Sequence, residues 1–232
     1  MTTGKLTDAD GVTLAKYTQT VGLQRGRNVI DLHIELSDIV SLDGSTSNYV
    51  ANRIAWSDET AELFCDIQGG RHAVRKPQIE APHFVEVVQA ENRFALLSHG
   101  LPWHRRATKK ILDSILVAGN ESKTSFRLGI AVNVQSAMQT AVGEMHPVLS
   151  GKQSDQRQDD PNQDSNWQFH LGNRNVIATW CSAVFDDDCR CSGMRVRLQE
   201  VEGREGKLKL YCRRKVESVE IESFDDLSLI HI

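Results

Sequence analysis

Met194-Arg-Val-Arg-Leu-Gln-Glu-Val-Glu-Gly203, followed directly by Arg204-Glu-Gly-Lys-Leu-Lys-Leu-Tyr-Cys212, is the stretch that decides the fold class. Met194, Val196 and Leu198 alternate with Arg195, Arg197 and Gln199. Successive side chains of a strand point to opposite faces, so this period of two predicts a half-buried strand. Glu202-Gly203-Arg204-Glu205-Gly206 has turn chemistry, and Leu208 and Leu210 open a second alternating run. The local reading is a β-hairpin.

The same period recurs towards the N-terminus. Ile30, Leu32, Ile34 and Leu36 alternate with Asp31, His33 and Glu35. Residues 11–21 read as an earlier strand turned by residues 22–26. Residues 50–56 and 61–67 read as a strand pair around Ser57-Asp58-Glu59, and residues 83–88 and 93–97 as another around Ala90-Glu91-Asn92. Residues 125–134 form an apolar strand with Arg127 interposed. In 111–116, Ile111, Leu112, Ile115 and Leu116 also fit helical spacing; the neighbouring strands favour strand here. Frequent short strands separated by turn signals predict a β-sandwich.

Residues 150–166 contain no apolar side chain except Pro161. Such a segment cannot bury enough surface to order itself, so it reads as a flexible polar linker. It divides the chain into a larger sandwich over residues 1–149 and a smaller one over residues 167–226. Within the smaller one, residues 176–184, 194–199, 207–212 and 216–221 read as strands.

Composition limits the function classes. Hydrophobic residues make up 40% and charged residues 25%, as in ordinary globular domains. The net charge of −4 supplies no field that favours nucleic acid. No apolar run is long enough to span a bilayer, and the first ten residues lack the apolar core of a signal peptide. Neither a nucleic-acid nor a membrane partner is expected. The five cysteines, at 65, 181, 189, 191 and 212, form no disulfide framework. They predict reduced thiols and a cytoplasmic setting. Cys189-Arg-Cys191 lacks the spacing of a four-thiolate zinc site, so no metal site is expected. The closing Leu227-Ser-Leu-Ile-His-Ile232 is what one frame of a common transposase sequencing adapter encodes. Native sequence is therefore expected to stop near Asp226; the other reading is a short apolar strand.

Several tracts together carry a family resemblance. Asp66-Ile-Gln-Gly-Gly70, Glu80-Ala-Pro82, Phe84-Val-Glu-Val87, Phe94-Ala-Leu-Leu-Ser-His-Gly-Leu-Pro102, Asn175-Val-Ile-Ala-Thr179 and the 194–212 region occur in this order. The series resembles the C-terminal β region of glycoside hydrolase family 38, the α-mannosidases, across most of residues 20–225. The chain departs from that pattern at Val117-Ala-Gly-Asn120, where the family usually ends a strand on arginine, and in its long acidic linker.

The resemblance implies an all-β fold: a galactose-mutarotase-like supersandwich, incomplete at its N-terminal side, followed by a smaller C-terminal β-sandwich. It also implies that the parent protein hydrolyses α-mannosidic bonds with retention, using a carboxylate nucleophile and a zinc ion held partly by a His-x-Asp pair in an N-terminal barrel. None of the eight histidines here begins a His-x-Asp, so the zinc belongs to a missing catalytic domain. This chain is then the non-catalytic end of the enzyme. Its partners are the missing N-terminal barrel and a carbohydrate, and alone it is inactive.

Retaining glycosidases need two carboxylates about 5–5.5 Å apart. Glu35, Glu80, Glu86 and Glu200 fall on expected strands with nothing to pair them, and read as outward-facing. Asp186-Asp-Asp188 lacks calcium-loop spacing and reads as a solvated turn. No catalytic residue is assigned. The candidate substrate-binding residues are Trp103, His104, Arg105 and Arg106, after a Gly-Leu-Pro turn and so expected on a loop. An exposed indole suits the apolar face of a pyranose, and guanidinium groups donate to hydroxyls. The competing reading packs Trp103 between sheets and leaves the basic residues solvated. An alternative function from the same residues is a stand-alone carbohydrate-binding module.

Overall fold

The computed structural model describes all residues except 41, 43–47, 91, 120, 147–168, 213–214, 222–229 and 232; of 230 and 231 it describes the backbone. The polar segment 150–166, and 227–229 and 232 of the adapter-like end, lie outside the described residues. The chain forms two compact units, Met1–His146 and Pro147–Ile232.

The first unit is an antiparallel β-sandwich. Its strands are β1 (Thr2–Thr7), β2 (Thr13–Leu23), β3 (Val29–Ser37), β4 (Tyr49–Ala55), β5 (Glu62–Ile67), β6 (Gly70–Ala73), β7 (Gln78–Glu80), β8 (Phe84–Val88), β9 (Arg93–Leu97), β10 (Trp103–Thr108), β11 (Ile111–Ala118) and β12 (Ser125–Val132). One sheet has the order β1-β2-β3-β12-β9-β8-β5-β6, the other β4-β11-β10-β7. Leu32, Ile34 and Leu36 of β3 point inward with Val85, Val87, Leu96, Phe126 and Leu128. They meet Val50, Ile79, Leu112, Leu116 and Val117 of the smaller sheet. Burying such side chains contributes roughly 1.5–3 kcal/mol each, so this interior dominates stability.

Residues 111–118 are a strand, as the neighbouring pattern favours. β8 and β9 pair as expected, with Val85 opposite Leu96. The expected pairing of residues 50–56 with 61–67 is not formed. β4 pairs with β11, and β5 lies in the other sheet between β8 and β6. Both strands carry an inward apolar face: Val50 and then Trp56 on one side, Leu63 and Cys65 on the other. Placed on opposite sheets, these faces bury one another. The crossing is held by Asp58, whose carboxylate accepts from the Thr60 amide at 2.8 Å and hydroxyl at 2.7 Å.

A second, thinner apolar layer lies on the outer side of the large sheet. Val29, Phe84, Ala95, Leu97 and Ala131 are buried at positions of the opposite parity to the main core. A Cβ on Gly129 would meet Leu97 at 3.2 Å and Val29 at 3.3 Å, so the backbone is closely overlaid there. Helix α1 (Ala137–Met145), which the sequence reading did not anticipate, buries Ala137, Met138 and Ala141 and lies against β8 and β9. Glu144 ties it to Arg27 and, at 3.7 Å, to Arg127. Ser136 caps it, accepting from the Gln139 amide at 3.3 Å. Ser136→Ala is expected to lower stability by about 1 kcal/mol. Thermal unfolding of wild type and variant measures this.

The second unit contains β13 (Phe169–Leu171), β14 (Val176–Phe185), β15 (Cys191–Glu200), β16 (Leu210–Cys212), β17 (Glu220–Ile221) and β18 (Ile230–His231). The strand read at 194–199 forms within β15, but its hairpin with 207–212 does not. β15 pairs with β14 and β18, while β16 pairs with β13 in a separate two-stranded sheet. The Glu200 carboxylate explains the redirection. It accepts from the Glu202 amide at 3.0 Å and the Gly203 amide at 2.7 Å, curling the chain out of the ladder. Gly203 takes φ 71°, which glycine accommodates without strain. Asn173 then holds Lys207, and the Gly172 amide bonds Lys209. Asp186-Asp-Asp188 is a hairpin turn between β14 and β15, in which Asp186 accepts from the amides of Asp188 and Arg190 at 3.1 and 2.8 Å.

Candidate functional site

Trp103, His104, Arg105 and Arg106 do not lie on a loop. They begin β10, where alternation separates them. The turn before them, His99-Gly100, has φ 46° and 86° and is closed by the Leu101 amide on Ser98 at 3.0 Å. It passes the chain from the large sheet to the small one. Trp103 and Arg105 face outward; Trp103 is 54% exposed.

His104 is the correction. It is 2% exposed and points into the sandwich. Its Nε2 lies 3.2 Å from the Ala81 carbonyl and 3.1 Å from Ser98 Oγ, and its Nδ1 3.0 Å from Ser114 Oγ. A carbonyl only accepts, so Nε2 carries the proton and Nδ1 accepts from Ser114. Burial pushes the imidazole down to about 4, against opposing hydrogen bonds to backbone groups at Ala81 and Leu101. His104 is thus a neutral structural bridge between the residues just after β7 and β9 and the middle of β11, with no access to a ligand.

Trp103 and Arg105 belong instead to a row of side chains across the outer face of the small sheet. Trp103 is opposite Glu80 of β7, and Arg105 is opposite Gln78 of β7 and Asp113 of β11. Asp113 is in turn opposite Arg53 of β4. Arg53 grips Asp113 with two bonds, Nε at 2.7 Å and Nη2 at 2.9 Å, and Tyr49 donates its hydroxyl at 3.0 Å. Arg105 approaches the Tyr49 ring at 5.9 Å. Burial is the strongest single influence on Asp113 and would raise its pKa. The hydrogen bonds from Arg53 and Tyr49, with the charges of Arg53 and Arg105, outweigh it and hold the carboxyl below its usual range. Tyr49 is pushed up by its own burial and then by Asp113. An ionised Asp113 whose two oxygens are both engaged orients its neighbours; it is no acid or nucleophile.

A cleft of about 830 Å³ opens where both sheets end, at β6 and β7. Gln78, Glu80, Arg75, Lys76, His72 and His83 contribute to its walls. Beneath it the 2%-exposed Asp66 accepts from the His83 amide at 3.1 Å, the Phe84 amide at 3.0 Å and His83 Nδ1 at 2.8 Å. This fixes the ring, with Nδ1 donating to the Asp66 carboxylate. Cys65 also borders the cleft, its thiol pushed up to about 11 by burial and by Asp66, so it stays protonated and inert. Glu86, read from sequence as outward-facing and free, is also corrected. It is 2% exposed and paired with Arg71 at 2.7 Å and Arg93 at 3.8 Å.

The sequence reading missed Tyr49, Arg53, Asp113, Asp66 and His83. One signal was available: Asp113 interrupts the apolar run Ile111 to Val117 and required a partner.

The five cysteines are free thiols. Among the described residues no group of three or more His, Cys, Asp or Glu side chains is placed to hold a metal ion. Both Asp66 oxygens are already engaged, Oδ1 by two backbone amides and Oδ2 by His83 Nδ1. The residues present do not fit the zinc that the family resemblance implies. Among the described residues no helix is long and apolar enough to cross a membrane.

Together these features define an all-β sandwich protein carrying a polar face with one exposed indole. Over 88% of its length the chain superposes on a solved protein of glycosyl hydrolase family 38 from Enterococcus faecalis, with a TM-score of 0.65 and 9% identity. It spans 26% of that protein's chain. At this identity the likeness is one of fold. No protein-family model and no curated protein sequence matches the chain.

Proposed function

We propose that this chain is the non-catalytic β-sandwich portion of a family 38-like glycosidase, and that it buttresses a catalytic barrel supplied by the rest of a longer protein. The observation that carries the reading is the fold likeness, which covers nearly all of this chain but only a quarter of the solved one. The ordered tracts from Asp66 to Cys212 point the same way. In this reading the parent is a retaining, zinc-dependent α-mannosidase whose metal and nucleophile lie outside this chain. The residues here suit a supporting role: Asp66, Glu86 and Asp113 are buried carboxylates committed to internal partners, and none is available to attack a glycosidic carbon.

Long-read sequencing of the genomic DNA upstream of Met1 tests the proposal. An open frame running into a barrel with a His-x-Asp pair is expected; a stop codon and promoter just before Met1 would overturn it. The purified chain, supplied with zinc, is expected to show no turnover of an aryl α-mannoside. Zinc-dependent hydrolysis by the chain alone would also sink the reading.

A further inference from the structure

We propose that the outer face of the small sheet of the first unit is a binding site for a neutral oligosaccharide, with one pyranose stacked on Trp103 and the chain continuing over β7 into the adjoining cleft. Three observations meet there. Trp103 is 54% exposed on a regular strand, so its ring is presented by a rigid element rather than a loop. Its cross-strand partner Glu80 and the neighbouring Gln78 also line the cleft of about 830 Å³, which makes platform and cleft contiguous. Both donors and acceptors surround the ring: the Arg105 guanidinium, the Glu80 carboxylate and the Gln78 amide.

The chemistry of the ligand follows from these side chains. The apolar C–H face of a pyranose suits an indole, and its equatorial hydroxyls need donors and acceptors at the ring's edge. On the Trp103 platform two guanidinium groups, Arg53 and Arg105, are matched by two carboxylates, Asp113 and Glu80. A phosphate stacked there would lack the net positive footprint it needs; Arg75 and Lys76, which line the cleft, are donors for the hydroxyls of sugar units beyond the platform. A protein partner would require an extended apolar core, whereas among the described residues Trp103 is the one large exposed apolar side chain of this face. The Arg53–Asp113–Tyr49 bonds stiffen the sheet face on the β11 side of Arg105, so little order has to be imposed on the platform when a sugar arrives.

The site uses side chains of this chain alone. It stands if no catalytic barrel lies upstream, in which case the protein is a free-standing sugar-binding module. Its failure likewise leaves the buttressing role untouched.

The test is a titration of the ¹⁵N-labelled full chain with α-mannotriose, cellotriose and xylotriose, followed by NMR. At least one sugar is expected to give saturable shifts in amides of β10, β7 and the cleft. Trp103→Ala should weaken that binding at least about tenfold, with far-UV circular dichroism unchanged. Gln78→Ala and Glu80→Ala, on an exposed edge strand, serve as second variants that leave the core intact and should each weaken binding several-fold. The proposal is overturned if none of the three sugars binds, if binding survives Trp103→Ala, or if the shifts fall only in the unit after residue 146.

Discussion

Lowering the pH from 6.5 to 4 is expected to remove about 3 kcal/mol of stability through His104 alone. Burial holds this imidazole near 4 in the folded protein, against about 6.5 for an exposed histidine. Between those values the unfolded chain takes up a proton at residue 104 that the folded chain refuses. Stability therefore falls as pH falls through this window, is insensitive to residue 104 above it, and levels off below it. The physical cause is that a charged ring would have to sit between Ser98, Ser114 and the Ala81 carbonyl with no counter-ion in direct contact. Urea unfolding of wild type and His104→Gln across pH 4–8 isolates the effect. The stability gap between the two should shrink by about 3 kcal/mol on acidification. A gap that is constant over the whole range would show that residue 104 is not buried as described.

Arg71→Ala is expected to cost about 3 kcal/mol, because it strands the Glu86 carboxylate at a site that is 2% exposed. Arg71 also lies 3.4 Å from the Phe64 ring centroid, so its truncation removes a packed cation as well as an ion pair. Arg93, at 3.8 Å, compensates only partly. The paired substitution Arg71→Leu with Glu86→Leu should recover most of the loss, since it removes the buried charge along with its partner. Denaturant unfolding of Arg71→Leu, Glu86→Leu and the double variant closes the cycle. A single-variant loss below about 0.5 kcal/mol would mean that Arg93 fully takes over.

The period of two made individual strands legible, but left their neighbours undetermined. Alternation states which face of a strand is apolar; it carries no information on which strand lies alongside. So residues 30–36 were readable as a strand with Leu32, Ile34 and Leu36 inside, while β4 with β5 and β15 with β16 were assigned to each other merely because they are adjacent in sequence. In both cases the chain switches sheets, steered by side chains that bond their own backbone: Asp58 at one turn, Glu200 at the other.

The same period, applied to Trp103-His-Arg-Arg106, separates Trp103 and Arg105 from His104. A loop reading conceals that. The Arg53–Asp113 pair spans 60 positions and exists only through the β4–β11 register, which no local pattern encodes. Helix α1 was hidden for a different reason. Its contact with the sheet uses small residues, Ala137 and Ala141, around one Met138, and so lacks the strong apolar stripe that marks a surface helix.

The ladder between β3 and β12 has a consequence for how the protein is made. Asp31 and its partner Arg127 are separated by 96 positions. A ribosome adding about 5–20 residues per second needs roughly 5–20 s to deliver the second strand after the first. During that interval the β3 edge, with Ile30, Leu32, Ile34 and Leu36 beside it, can be flanked by β2 on one side only. A nascent chain with so long-lived an open edge can recruit strands from neighbouring polypeptides. Yield of native protein should therefore depend on elongation rate and on holding chaperones more than on the final stability of the fold.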